Sequence, residues 1–232
     1  MADTRTFTIG GHSFILADRA SVGPPTPYTL LLAGNIAPMP GARVLEIGTG
    51  SGILAIVAAL QGAARVQIVD TNPAAIEAAV ANADLNGVAD RIEPLAVGTS
   101  MVPLPAGETV DLIISNPAQL PMPEAAEAHN PYYAGSDGRR MIDAVIAAAP
   151  PHLAPDGRLL MVLNSPTNFP ASLEQMRLAG LEPRVLEIRS LELRPIFDRS
   201  WLDQLGGEAQ GLYTVRDGTA YETIYVVEAR AA

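Results

Sequence analysis

The 232-residue sequence contains no cysteine and no lysine. Without cysteine, the chain has no disulfides, no thiolate zinc site and no cysteine nucleophile. Only three histidines are present, His12, His129 and His152, which leaves little for a metal site built from several histidines. The longest uninterrupted apolar run, residues 53–60, is far too short to span a bilayer. Because the start of the chain also has no hydrophobic signal core, we expect a cytoplasmic protein without a membrane partner.

Positive charge is scarce as well. The chain has 25 acidic residues against 15 basic ones, all arginine, and a formal net charge of −10. Proteins that grip phosphate backbones usually carry the opposite sign, so nucleic acid is a disfavoured partner. Four arginines are spaced along one late segment, and we interpret them as solvated surface charges: Arg184, Arg189, Arg194 and Arg199.

Short apolar segments alternate with helical ones after about residue 40. The predicted strands are residues 43–47, 65–69, 91–97, 110–115, 158–164, 184–188 and 223–228. The predicted helices cover about 52–61, 73–85, 139–149 and 173–179, with no convincing helix between the last two strands. Nearly continuous apolar strands separated by helices are typical of a parallel sheet covered on both faces. The pattern predicts an α/β fold with a doubly wound, Rossmann-like sheet, mostly parallel and with an antiparallel C-terminal edge strand.

A glycine-rich loop follows the first predicted strand, in the segment Glu46-Ile47-Gly48-Thr49-Gly50-Ser51-Gly52. Glycine lets the backbone turn sharply and approach a ligand without a Cβ in the way, and a helix N-terminus behind the loop supplies N–H donors. A dinucleotide fingerprint would need glycine at the position of Ile53, which counts against a nicotinamide oxidoreductase. A plain tight turn between strand and helix is the simpler alternative.

The spacing of Glu46, Gly48, Gly50 and Gly52 resembles the first motif of the class I methyltransferases that use S-adenosylmethionine (SAM). The resemblance implies SAM as the cofactor. It also implies that Gly48, Thr49, Gly50 and Gly52 wrap the methionine half of SAM and that Glu46 lies near its ammonium group.

A second candidate cofactor contact lies at the end of the second predicted strand. An acid at this position, Asp70, can hydrogen-bond both hydroxyls of a ribose. The segment around Asp70 and Thr71 also resembles the second motif of the family, so both residues are candidate cofactor ligands. Asp70 as the N-cap of the following helix is the alternative. The adenine contact stays open between Thr99 and a backbone amide, since no acid directly follows the third predicted strand.

The fourth predicted strand ends in Ser115-Asn116-Pro117-Ala118-Gln119. This segment resembles the Asn-Pro-Pro-Tyr motif of methylases that act on planar nitrogens, with the motif altered to Asn-Pro-Ala-Gln. The closest resemblance is to the release-factor glutamine methyltransferases, and it covers roughly residues 43–164. It implies transfer of a methyl group to a nitrogen of a protein side chain or a small metabolite, the acceptor group being an amide, an amine or a related planar group.

The chemistry explains why Asn116 and Pro117 are candidate catalytic residues. An amide nitrogen is a poor nucleophile because its lone pair is delocalised into the carbonyl. If the Asn116 side-chain oxygen and the Pro117 carbonyl accept its two N–H bonds, the lone pair is localised and the approach to the methyl group is fixed. Such positioning can contribute about 7 to 11 kcal/mol. Asn116 would also lie beside the sulfonium, and Gln119 could hydrogen-bond a polar acceptor.

Other residues are candidates for the acceptor pocket. Tyr132 and Tyr133 could supply the aromatic wall that the altered motif lacks, or could pack a loop over the sheet. Tyr28 and His12 could line the pocket from the N-terminal segment. His129 is a candidate general base for an acceptor that needs deprotonation.

We therefore predict one SAM-dependent methyltransferase domain over residues 1–232. Residues 1–40 would form an N-terminal lid or substrate segment, 41–165 the SAM-binding core, and 166–232 the C-terminal strands with an insertion. Two alternatives remain. The first is an O- or N-methyltransferase of a small natural-product-type metabolite with a histidine or carboxylate base, and the second is a SAM-binding regulatory module without catalysis. An oligomer is compatible with either.

Overall fold

The computed structural model describes residues 3–19, 22–37, 39–95, 107–124 and 132–231. The strands are Thr4–Ile9 (β1), His12–Ala17 (β2), Arg43–Ile47 (β3), Arg65–Val69 (β4), Ile92–Pro94 (β5), Val110–Ser115 (β6), Leu153–Asn164 (β7), Leu181–Glu192 (β8), Thr214–Arg216 (β9) and Thr219–Ala231 (β10). The helices are Pro27–Gly34 (α1), Ile53–Leu60 (α2), Pro73–Leu85 (α3), Arg140–Ala148 (α4), Phe169–Leu178 (α5) and Arg199–Gln204 (α6). No helix in the described part of the chain has the length and apolar content of a bilayer-crossing segment.

The main sheet has the strand order β5-β4-β3-β6-β7-β10-β8, and β9 pairs with β10. The strands from β5 to β7 are parallel, whereas β10 runs antiparallel to both β7 and β8. This confirms the predicted doubly wound, mostly parallel sheet with an antiparallel edge. The edge position belongs to β8, and the C-terminal strand β10 lies one place further in. Strand order reverses between β3 and β6, which is where such sheets leave a crevice at the carboxyl ends of the strands.

The two faces of β3 show how the sheet is buried. Val44 packs into the cluster formed with α1, α2 and α3, whereas Leu45 and Ile47 pack into the cluster formed with α4 and α5. Burial of each such side chain contributes about 1.5 to 3 kcal/mol. Helix α2 is apolar on every side because residues 53–59 are all buried between the sheet and its neighbouring helices. Burial on both faces explains why these segments are rich in apolar residues.

The N-terminal segment holds more structure than the predicted lid or helix. Strands β1 and β2 form an antiparallel hairpin in which Phe14 and Leu16 are buried and the residues between and beside them are more exposed. Asn86 fixes the hairpin to α3, because its side-chain oxygen accepts the Ile15 amide at 2.8 Å. Helix α1 then begins at Pro27, and its N-terminus is closed by a capping box between Thr26 and Thr29. The hairpin was missed because its strands are short and half-exposed.

Several predicted elements differ in extent from those of the structure; the predicted strands 158–164 and 223–228, for example, extend over Leu153–Asn164 and Thr219–Ala231. Within the described part of the third predicted strand, residues 92–94 form β5, and residues 96–100, with the candidate Thr99, lie outside the described residues. The predicted strand 184–188 extends over Leu181–Glu192, and the short helix α6 forms where no helix was predicted. Helix α6 has six residues, too few for a periodic signal, and it is capped by the Asp198 carboxylate, which accepts the Ser200 amide at 2.9 Å.

Arg194 departs from its predicted role as a solvated charge. Arg184, Arg189 and Arg199 are exposed as predicted, but Arg194 is half-buried. Its guanidinium lies 4.3 Å from the centroid of the Tyr28 ring, and its Nε is 3.1 Å from a carboxylate oxygen of the fully buried Glu222. The interpretation of Arg194 as a surface charge is therefore wrong, because a buried acid on β10 requires a cationic partner.

Candidate active site

The glycine loop connects β3 to α2 and has an open side and a packed side. Gly48, Gly50 and Gly52 all have positive φ, at +79°, +52° and +80°, a conformation that glycine adopts without strain. A Cβ at Gly52 would lie 2.7 Å from both Cα and Cβ of Ala79, so this glycine lets α2 and α3 approach closely. At Gly48 and Gly50 an added Cβ would meet no described atom within 4 Å beyond its chain neighbours. These two glycines thus line open space.

Glu46 supports the loop from beneath. Its Oε2 accepts the Thr49 hydroxyl at 2.8 Å and the Ala55 amide, in the first turn of α2, at 3.0 Å. The pKa of Glu46 is raised to about 8, chiefly by complete burial and to a smaller extent by the charge of Asp70, against the lowering effect of the two hydrogen bonds. Its Oε1 has no hydrogen-bond partner among the described residues. The contact of Glu46 with an ammonium group stays a prediction, and Oε1 is the atom that such a donor would satisfy.

Thr49 faces inward. Its side chain is buried and donates to Glu46, and its amide donates to the Val69 carbonyl at 3.1 Å. The structure therefore does not support a cofactor contact by the Thr49 side chain. Its role is to hold the loop closed over the end of β4.

Asp70 lies directly across from the loop. One carboxylate oxygen accepts the Gly50 amide at 3.0 Å, and the other accepts the Asn72 amide at 2.9 Å. The N-cap of α3 is Asn72, whose side-chain oxygen accepts the Ala74 amide, so the alternative role of Asp70 as the cap is wrong. Each carboxylate oxygen retains capacity for a further donor. Asp70 is half-buried and Thr71 is exposed beside it, so both remain candidates for hydroxyl binding.

A residue that the sequence analysis missed joins the loop to the N-terminal hairpin. The Asn82 side chain on α3 is fully buried, donates to the Ser51 carbonyl at 2.9 Å and accepts the Ala17 amide at 2.9 Å. The available signal was a pair of asparagines four residues apart, Asn82 and Asn86, in an alanine-rich helix. That spacing places both on one helix face.

The acceptor side of the site is built around Asn116, which follows the last residue of β6. The Ser115 hydroxyl donates to the Ile47 carbonyl at 3.0 Å and ties the end of β6 to β3. The Asn116 amide nitrogen donates to the Thr29 hydroxyl of α1 at 2.9 Å. Asn116 is half-buried, whereas Pro117 is buried. The structure thus brings the predicted amide-binding pair to the same sheet edge as the glycine loop.

Gln119 points inward instead of toward an acceptor. It is 7% exposed, and its Nε2 lies 3.0 Å from the Val162 carbonyl oxygen, 3.3 Å from that of Pro117 and 3.4 Å from Asn116 Oδ1. The predicted hydrogen bond from Gln119 to a substrate therefore has no support in the structure. Its nitrogen instead lies beside the two oxygens that were assigned to the acceptor.

The two tyrosines after the undescribed segment have different surroundings. Tyr132 is 43% exposed, and its hydroxyl lies so close to Gly23 that a Cβ there would come within 2.7 Å of it. The ring thus reaches across to the N-terminal segment and can form a wall of the site. Tyr133 is buried beneath the Arg140 guanidinium, 5.2 Å from its ring centroid, so the packing alternative describes Tyr133.

Tyr28 does not line a pocket. It is 2% exposed, its hydroxyl bonds the Glu222 carboxylate, and the Asn164 amide donates to that hydroxyl at 3.3 Å. Burial, followed by the charge of Glu222, raises the pKa of Tyr28 well above its ordinary value. The structure gives no support to the prediction that Tyr28 contacts substrate, because the buried residue anchors α1 to the sheet. Its neighbour Thr29, which was not predicted, makes the contact with Asn116.

The histidine candidates lie elsewhere. His12 begins β2 beside the hairpin turn, where a Cβ added at Gly10 would collide with Gln61 at the far end of α2. That end is about 12 Å from the glycine loop at 1.5 Å per residue, so His12 is remote from the site. His129 lies outside the described residues, and its role as a base stays a prediction.

Known proteins similar to this chain are methyltransferases. Residues 31–126 match the ribosomal protein L11 methyltransferase (PrmA) family. The chain is 36% identical to a release factor glutamine methyltransferase of Cereibacter sphaeroides over 61% of this chain and 53% of that protein. It is 35% identical to a ribosomal protein uL3 glutamine methyltransferase of Bordetella pertussis over 65% of this chain and 54% of that protein. The chain spans about half the length of the curated relatives it matches.

The fold has relatives among solved structures. One is the 16S rRNA N2 G1207 methyltransferase (RsmC) of T. thermophilus, solved in complex with AdoMet and guanosine. The TM-score is 0.61 at 20% identity, over 99% of this chain and 51% of that one. The likeness shows that this chain has the class I methyltransferase fold. Together with the curated relatives it confirms the resemblance inferred from the motifs.

Proposed function

We propose that this chain is a SAM-dependent methyltransferase that transfers a methyl group to the carboxamide nitrogen of a protein glutamine. The observation that carries the proposal is the register in which β3 pairs with β4 and β6. Ile47 of β3 pairs with Val69 of β4 on one side and with Ser115 of β6 on the other. The glycine loop, Asp70 and Asn116 therefore begin side by side, at the same level, on one edge of the sheet.

The residues of the loop fit SAM. The open space beside Gly48 and Gly50 admits a ligand against the backbone, and the Asp70 carboxylate can accept ribose hydroxyls. Glu46 Oε1 has no hydrogen-bond partner among the described residues, and an ammonium group beside it would favour the ionised carboxylate that accepts its hydrogen bond. When bound, SAM supplies a methyl group on an electrophilic sulfonium.

On the acceptor side, Asn116 and Pro117 can orient the methyl acceptor. Asn116 Oδ1 and the Pro117 carbonyl can accept the two N–H bonds of a glutamine side chain, which places the nitrogen lone pair toward the cofactor. Helix α1 covers this side through the Thr29–Asn116 hydrogen bond, and Tyr132 reaches from the opposite direction to Gly23. Both contacts restrict the access of water, which favours a reaction in which the sulfonium charge disappears.

A protein acceptor agrees with the charge of the chain. A net charge of −10 disfavours an extended phosphate backbone as the partner. The curated relatives are named for a release factor and for a ribosomal protein. We infer that this chain also acts on a protein of the translation apparatus and therefore works in the cytoplasm.

The test is incubation of the purified chain and methyl-labelled SAM with a size-fractionated extract of its own cells. We expect label in the macromolecular, protease-sensitive fraction, and mass spectrometry should place one methyl group on a glutamine side chain. Asn116→Ala should lower turnover at least about a hundredfold, since it removes an orienting contact of the transition state. Asn35→Ala, at the far end of α1, is the matched control and should stay near wild type.

Other outcomes would overturn the proposal in defined ways. Label in the small-molecule fraction would indicate a metabolite methyltransferase. SAM binding without turnover, together with unchanged behaviour of Asn116→Ala, would indicate a regulatory module.

A further inference from the structure

We propose that Gln119 is a positioning residue that, with Thr29, fixes the Asn116 side chain so that Oδ1 faces the acceptor and Nδ2 faces away. The proposal rests on the proposed function for its purpose and on the hydrogen bonds of the described residues for its geometry. Gln119 is also the residue at which the chain departs from the aromatic of the Asn-Pro-Pro-Tyr motif.

The orientation of the Gln119 amide is fixed by two backbone carbonyls. Its Nε2 lies 3.0 Å from the Val162 oxygen and 3.3 Å from the Pro117 oxygen. A carbonyl can only accept, so the nitrogen end of the amide must face both. Rotation of the amide by 180° would direct Oε1 at two carbonyl oxygens. In the observed orientation Gln119 Oε1 is buried with no hydrogen-bond partner among the described residues, so the amide bonds through its nitrogen.

The orientation of Gln119 then determines that of Asn116. Gln119 Nε2 is 3.4 Å from the end of the Asn116 side chain, and because this nitrogen only donates, the atom facing it must be Oδ1. Nδ2 consequently faces the opposite way, where it lies 2.9 Å from Thr29 Oγ1. Thr29 can accept this bond because its own proton has a partner in Thr26 Oγ1, 3.1 Å away. Each side chain in the series Gln119, Asn116, Thr29 and Thr26 therefore donates a hydrogen bond to the next one.

This arrangement leaves room for the acceptor. Gln119 Nε2 has two protons for three oxygens, and the Val162 oxygen is the nearest. The second proton is shared between the Pro117 oxygen and Asn116 Oδ1 at long distances of 3.3 and 3.4 Å. Each oxygen can accept a second bond. Gln119 occupies the buried side of the pair, so the remaining capacity of both oxygens is available from the crevice.

The first experiment compares Gln119→Leu and Thr29→Val with wild type. For each protein, kcat and KM are measured for methylation, and the side-chain amide of Asn116 is observed by NMR. Asn116→Asp removes that amide and so assigns its signals. We expect each variant to lower kcat about tenfold, the equivalent of one lost hydrogen bond, with KM for SAM unchanged. The Asn116 amide protons should exchange with water at least about tenfold faster in Thr29→Val. Thr29→Ser should restore both values, and Thr6→Val, exposed on β1, is the matched control.

The second experiment uses Gln119→Glu. The introduced carboxyl has one proton, so it can donate to one of the oxygens that face Gln119 Nε2, and only while it is protonated. We therefore expect kcat of this variant to fall about tenfold per pH unit above the pKa of the new group. The pH profile of wild type lacks this descending limb. A purely structural role would change stability without producing this limb. If Thr29→Val fails to fold because the capping box is lost, this profile still decides the matter.

Different results would overturn the positioning role of Gln119 and Thr29 and the proposed function on which it rests. If wild type methylates glutamine but the variants keep wild-type kcat and Asn116 amide exchange, the positioning role is overturned alone. If the Asn116 amide signals respond as expected but wild type methylates no glutamine, the proposed function is overturned and the positioning of Asn116 stands.

Discussion

Substitution of Glu46 by glutamine tests the construction of the glycine loop through the pH dependence of folding stability. Burial raises the pKa of Glu46 from its ordinary value of 4.5 to about 8 in the folded protein. Below the ordinary value both states carry the proton. Between the two values the unfolded chain releases it while the folded protein retains it, so the free energy of unfolding falls as pH rises. Above about pH 8 both states are ionised and the dependence ends.

The size of the effect follows from the interval between the two pKa values. Each unit corresponds to about 1.36 kcal/mol, so Glu46 removes up to about 5 kcal/mol of stability between the ends of this interval. Glutamine keeps the shape of the side chain and one oxygen for the Thr49 and Ala55 donors. It carries no titratable proton, so the pH-dependent part of the contribution disappears.

The assay is urea unfolding of wild type and Glu46→Gln from pH 5 to 9. We expect the stability of wild type relative to the variant to fall by several kcal/mol up to about pH 8 and then to level off. Glu174→Gln, exposed on α5, is the matched control and should follow wild type. Parallel curves for wild type and Glu46→Gln would refute the argument, because they would mean that Glu46 ionises normally in the folded protein.

Three further substitutions test other parts of the structure. Gly52→Ala brings a Cβ within 2.7 Å of Ala79 at a φ of +80°, so urea unfolding should show a loss of about 2 to 4 kcal/mol; an unchanged midpoint would contradict the packing role. Arg194→Met leaves the Glu222 carboxylate buried without its cation, which should cost about 3 to 5 kcal/mol at pH 7. Burial already raises the pKa of Glu222, so the variant should regain stability toward pH 5 as that carboxylate protonates. Asp70→Asn should weaken SAM binding about tenfold in a calorimetric titration, because a charged acceptor of hydroxyl bonds is lost; wild-type affinity would exclude Asp70 from the site.

The central sheet could be predicted from the sequence because its strands are buried on both faces. The strands β3, β4 and β6 are short segments in which nearly every residue is buried and most are apolar, a pattern typical of parallel strands covered on both faces. The edge strand β8 and the hairpin of β1 and β2 mix exposed and buried residues. Their apolar signal is therefore weak, and tertiary pairing determines where they begin and end.

The cofactor side was predictable for a related reason. A left-handed backbone at Gly48, Gly50 and Gly52 requires a specific residue type at a specific spacing, so the requirement is visible in the sequence. Tyr28 and Thr29 carry no such signal. Their partners, Glu222 and Asn116, lie far along the chain, and only the folded structure shows that one residue is buried and the other reaches the site.

Through Asn82, the N-terminal hairpin should respond to the conformation of the glycine loop. One side chain accepts the Ala17 amide and donates to the Ser51 carbonyl, so Asn82 joins the loop to β2 through two hydrogen bonds. Occupancy of the loop should therefore slow hydrogen exchange at the Ala17 amide. By the same connection, we expect a tag or fusion that disturbs the first strands to change cofactor affinity.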